Sequence, residues 1–161
     1  MAPTTAPVDL TYHLYSLYTS RQEDTDTMTH FATLSDARSH MSDLTDAAMS
    51  GRPVSYTRDG RLVAAVDADR LRDALTKLHP ARAEVFQEDG EVGIVVSELA
   101  LAVEGATFDD AVAEMVIALR EYAADWDDHL LNAPNHAGNW GLVQIITLST
   151  DDQLAGWVRG A

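Results

Sequence analysis

Four arginines, Arg38, Arg52, Arg58 and Arg61, fall within one stretch, SDARSHMSDLTDAAMSGRPVSYTRDGR, at 35–61. A guanidinium stays charged at any working pH, and its planar fork pairs bidentately with a phosphate or with the major-groove edge of guanine. That is anion-binding chemistry, and it is concentrated in a chain of 161 residues whose formal net charge is -15. A second group has the opposite chemistry. ADWDDHLLNAPNH, at 124–136, holds Asp125, Asp127, Asp128, His129 and His136. Such side chains can ligate a divalent metal and so support a nuclease. Their spacing matches no metal motif, and a helix end running into a loop commonly collects solvated acids, so no metal ligand is assigned.

The charge is unevenly spread. Residues 1–27 carry one arginine and four acids, 28–79 carry seven basic and seven acidic side chains, and 80–161 carry three basic and fifteen acidic ones. Only the middle segment can approach a polyanion without strong repulsion, while the last half attracts cations, a basic protein above all. Apolar residues make up 46% of the chain, enough for a packed core in one ordinary domain or two small ones. With no cysteine, disulfide, zinc–thiolate and thiol chemistry are excluded, and a reducing cytoplasm is compatible. No apolar run reaches the roughly 18 residues of a membrane span, and the N-terminus lacks a signal-peptide pattern. No glycine-rich phosphate loop or Ser-His-Asp spacing is present. A soluble cytoplasmic protein with no cofactor and no catalytic residues is expected.

The elements that must position these residues follow from hydrophobic period and turn chemistry. Residues 1–27, rich in Thr, Ser, Pro and Asp, read as a flexible tail, with a partner-binding helix at 9–18 as the alternative and Met28 as an alternative start. Phe31 to Leu34 reads as a short strand. Ser35 caps a helix whose stripe is Ala37, Met41, Leu44 and Ala48, ended by Gly51 and Pro53. Val54 to Thr57 and Leu62 to Val66 flank Asp59-Gly60, a two-residue hairpin turn. Asp67 caps a helix with Leu71, Ala74, Leu75 and Leu78, stopped by Pro80, giving β-α-β-β-α over 28–79. From 80 to 161, Glu84 to Glu88 and Val92 to Ser97 form a second hairpin and Leu101 to Glu104 a return strand. Thr107-x-x-Asp110 opens a helix whose apolar period is Phe108, Ala111, Val112, Met115, Val116, Leu119, Tyr122, Ala123 and Trp126. NAPNHAGNWG is a loop, Leu142 to Leu148 reads as a central strand, and a last helix runs from about Thr150 to Val158. Met41 and Met115 are expected in the core, and Trp140 as a core plug. The fold class is α+β, with a mostly antiparallel sheet in the second module.

SDARSHMSDL and GRPVSYTRDGRLVAAV resemble the Phd/YefM antitoxins, which show a helix with Ala-Arg-x-x-(Leu/Met)-Ser and a hairpin with Thr-Arg-x-Gly-(Arg/Lys). The resemblance covers about 50 residues and implies a dimeric module that binds operator DNA. It places DNA contacts on Arg38 and Arg58, with Arg61 and Arg52 as further phosphate contacts. VFQEDGEVGIVVSELALAVEGATFDDAVAEMVIALREYAADW resembles the HicB-type antitoxin domain, a small sheet with a helix like part of an RNase H fold. That family commonly carries proline before the return strand, and SELALAVEG has none. Its role implies binding of a small basic RNase. Together the halves look like antitoxins of RelE-like toxins. The expected function is therefore a homodimeric antitoxin that neutralises a basic RNase toxin and represses its own operon. A stand-alone DNA-binding regulator, a protein-interaction module without a toxin partner and a metal-dependent nuclease are the alternatives.

Overall fold

The computed structural model describes residues 29–160. The expected tail at 1–27, its helix at 9–18 and the alternative start at Met28 lie outside the described residues. Within them the fold is α+β, with two three-stranded sheets and six α-helices. The chain divides between Asp67 and Ala68 into two compact units.

In the first unit, Thr29–Phe31 (β1) runs parallel to Val54–Arg58 (β2), which pairs antiparallel with Arg61–Ala64 (β3). Asp59 and Gly60 make the turn with φ of 50° and 76°, the double positive φ that an Asp-Gly pair accommodates. The single helix expected from residue 35 is two. Leu34–Ser39 (α1) is capped by Thr33, not Ser35, through its side chain and the Asp36 N–H at 3.1 Å. The chain bends at His40, and Met41–Ser50 (α2) follows, closed by Gly51 in the left-handed conformation. The His40 ring stacks on Phe31 at 5.4 Å, with Nδ1 3.0 Å from the Asp36 carbonyl, and this anchors the bend. The bend rotates the stripe, so Ala37, Leu44 and Ala47 are buried, while Met41, expected inside, is 51% exposed. They close on Phe31 and Val54 as the unit's core.

The second unit opens with Ala68–Leu78 (α3), a helix the sequence reading grouped with the first module. Packing decides otherwise. Leu71 and Leu75 join the second core, and the Trp157 indole donates to the His79 carbonyl at 2.9 Å. On the exposed side of α3, a hydrogen bond from the Lys77 ammonium holds the Asp73 carboxyl below its usual range. The sheet is Glu84–Glu88 (β4), Glu91–Val96 (β5) and Leu101–Gly105 (β6), antiparallel throughout. Phe108–Asp125 (α4) lies against it, capped by Thr107 as expected. Ala111, Val112, Met115, Val116, Leu119 and Tyr122 face inward at helical spacing, against Ile94 and Val96.

Leu142 to Leu148 is not a strand. Trp140–Leu148 (α5) is a helix, and Asp151–Arg159 (α6) follows it under a Thr150–Gln153 capping box. A continuous apolar run carries no period to separate a buried helix from a central strand. Trp140, Gln144, Thr147 and Leu148 are the positions that reach solvent, one helix face at i, i+4, i+7 and i+8. Trp140 is thus not a core plug but 55% exposed, and Trp126 and Trp157 fill the core instead.

Gly105 sets how closely β6 approaches α4. A Cβ there would lie 2.3 Å from the Ala111 amide nitrogen, which is backbone and cannot swing aside. Gly105→Ala is expected to lower unfolding stability by about 2–3 kcal/mol in urea melts. Gly138→Ala, where nothing lies within 4 Å, should leave stability unchanged within about 0.5 kcal/mol.

Candidate functional site

The first unit presents all four predicted arginines at its surface. Arg38 follows the buried Ala37 on α1 and is exposed. Arg52 follows the Gly51 cap, with its Nε donating to the Ser50 hydroxyl at 3.1 Å. Arg58 and Arg61 sit directly opposite each other across the Asp59-Gly60 turn. Alternation along β2 puts Arg58 on the same face as Val54 and Tyr56, the face the helices cover. Arg58 Nε lies 3.5 Å from the Asp59 carboxylate, while Arg38 and Arg61 have no ion-pair partner among the described residues. Two like charges directly across a hairpin repel. The hairpin therefore holds a forked cationic tip whose repulsion an anion would relieve.

The first unit is close to neutral, with four arginines and five aspartates over 29–67, and the second is strongly acidic. Over 68–160 it carries six basic and seventeen acidic side chains. Five of its cations are engaged by its own acids: Arg72 with Asp69, Lys77 with Asp73, Arg82 with Glu98, Arg120 with Asp151 and Arg159 with Asp109. Its surface is left with a large excess of carboxylate.

The Asp and His residues that could have made a metal site are not brought together. Among the described residues no group of three or more His, Asp or Glu is arranged to hold a metal ion. His129 lies against Asp128 at 3.2 Å on the surface. His136 serves the loop instead. Its Nδ1 lies 3.1 Å from the Tyr122 hydroxyl, which accepts from the Asn139 amide at 2.7 Å, and the Trp126 indole donates to the His136 carbonyl at 2.9 Å. His136 and Asn139 thus pin the loop onto α4.

Sequence reasoning missed Arg120. Its guanidinium donates to the Ile146 and Ser149 carbonyls and to Asp151, closing the C-terminal end of α5 and tying it to the start of α6. The signal was present, since Arg120 is the lone cation between Arg82 and Arg159. An open cavity of about 440 Å³ beside it is lined by Ala123, Trp126, Asp127, Val143, Gln144 and Thr147 among others. With the guanidinium already committed, this cavity gathers no reactive constellation.

No protein-family model matches the sequence, and no curated protein matches it. A solved structure does. It is that of an antitoxin, part of a proposed toxin/antitoxin system, from Syntrophomonas wolfei subsp. wolfei. The superposition has a TM-score of 0.69 at 22% identity, covering 81% of this chain and 96% of that one. The two share a fold.

The opposed pair at the hairpin tip has a measurable cost. Arg61→Thr is expected to raise stability by up to about 0.5 kcal/mol, more at low salt than at high, in thermal or urea melts. Unchanged or lower stability at low salt would mean that the two guanidinium groups do not repel.

Proposed function

We propose that this chain is an antitoxin with two working surfaces: the first unit binds operator DNA through Arg38, Arg58, Arg61 and Arg52, and the acidic second unit binds a basic RNase toxin, RelE-like in class. What carries the reading is the gathering of nearly all excess carboxylate into one of two compact units while the other, near neutral, presents four surface arginines, on a fold that a solved antitoxin shares. In this reading the chain has no catalytic residue of its own and acts in the cytoplasm. The first unit corresponds to a Phd/YefM-like module and the second to a HicB-like one.

Dimerisation fits the first unit's physics. Over 29–67 it buries five apolar side chains, while Met41, Met49, Leu62 and Val66 remain more than half exposed. A unit this small rarely sustains itself without a disulfide, a metal or a second copy. Two copies would also double the phosphate contacts. Counting Arg38 and Arg58 alone in each protomer, the logarithmic salt dependence of operator binding should have a slope at least as steep as roughly -3 to -4.

The test is co-expression with the product of the adjacent reading frame. A small basic protein that is toxic alone, silent beside this chain and co-purified with it is the expected result. An adjacent product that is not basic, or that forms no complex, would overturn the toxin half of the proposal. In band-shift assays on the upstream DNA, Arg58→Ala should weaken binding by about tenfold or more and leave the protein complex intact. Loss of both activities together would instead mark a folding defect, and a salt slope near zero would remove the DNA role of Arg38 and Arg58.

A further inference from the structure

The second sheet has one covered face and one open face. Strand register separates them, because residues opposite each other across a ladder point to the same side. Ile94 is paired with Val85 and Val103, and with the buried Val96 it looks toward α4. The other side carries Glu84, Phe86 and Glu88 from β4, Glu91, Gly93 and Val95 from β5, and Ala102 and Glu104 from β6. The four glutamates are exposed, and none has a cationic partner among the described residues. Glu88 and Glu91 stand directly opposite each other beside the Asp89-Gly90 turn, an unrelieved like-charge pair. Phe86 lies among them. A Cβ on Gly93 would come 2.0 Å from the far edge of its ring, so the ring rests flat on the glycine backbone. It is held there with 40% of the residue exposed.

We infer that this open face is where a cationic protein docks, laying arginine or lysine side chains over Phe86 and between Glu84, Glu88, Glu91 and Glu104. The partner's identity as the basic toxin rests on the antitoxin reading above, while the chemistry of the face does not. An aromatic ring ringed by unneutralised carboxylates attracts a guanidinium through its π-face and through charge together. Nucleic acid is repelled from it. Several other acidic groups are already occupied, Asp109 and Asp151 by arginines and Asp110 by Thr107, and the free acids that remain on the helices, such as Glu121 and Asp127, do not surround an exposed aromatic ring on one sheet face. The two hairpins are thus built alike and charged oppositely, Arg-Asp-Gly-Arg at 58–61 and Glu-Asp-Gly-Glu at 88–91.

Isotope-labelled full-length chain titrated with a deca-arginine peptide locates the face by amide shifts. The expected result is shifts centred on Phe86, Gly93 and Glu104. Shifts spread evenly over Asp125, Asp127 and Asp128 would overturn the assignment. So would sheet-face shifts produced by protein concentration alone, which would make a second copy the occupant. In complexes with the adjacent basic product, E88K/E91K should weaken binding about 100-fold and Phe86→Ala about tenfold. D127K/D128K, the same change of charge elsewhere, should alter it less than threefold. Equal loss from both charge reversals would sink the docking face and leave the antitoxin reading standing. Sheet-centred shifts with deca-arginine but no complex with the adjacent product would do the reverse.

Discussion

The second unit depends on one seam, the apolar stripe of the helix Phe108–Asp125 laid on a single face of the β4–β5–β6 sheet. Gly105 lets strand and helix backbones come close, and Thr107 starts the helix two residues later. Because the helix covers one face only, the other is left to solvent, and its side chains are free to be charged. The same seam places Arg120 where it can close the end of the next helix, and Tyr122 and Trp126 where they can hold the loop after it. Packing on one side therefore sets which residues are available for recognition on the other.

Charge is distributed along the same logic. In the acidic unit, cations are spent on its own carboxylates at helix ends and surfaces. In the first unit, Arg38 and Arg61 are left unpaired among the described residues. Surface ion pairs contribute little to stability, so this difference concerns what each unit can attract more than how firmly it folds. The opposed like charges at both hairpin tips work in the same direction, since each is a small local cost that a ligand of opposite sign removes.

Much of this was legible in the residues. Both Asp-Gly turns, the Thr107 cap and the stripe from Ala111 to Trp126 follow from local chemistry, which acts within a few residues and needs no tertiary partner. Three features were not legible. The bend at His40 depends on a ring stacked on Phe31, a contact outside the helix. The helix at 140–148 is buried on most sides, which erases the apolar period, and only the spacing of Gln144 and Thr147 betrays it. The helix after Asp67 is amphipathic in either setting, so its sequence does not say which core receives it. Of the candidate site, the arginines were visible as a cluster, but their opposition across β2 and β3 required the register. The open acidic face was hidden because its members come from three strands.

The central claim is that the anion-binding and cation-binding surfaces belong to different units and work independently. Light scattering coupled to size exclusion, on the chain mixed with its upstream DNA and the adjacent basic product together, tests this most directly. The account predicts a single particle containing all three. Displacement of the DNA by the basic protein in direct competition for the chain would contradict it.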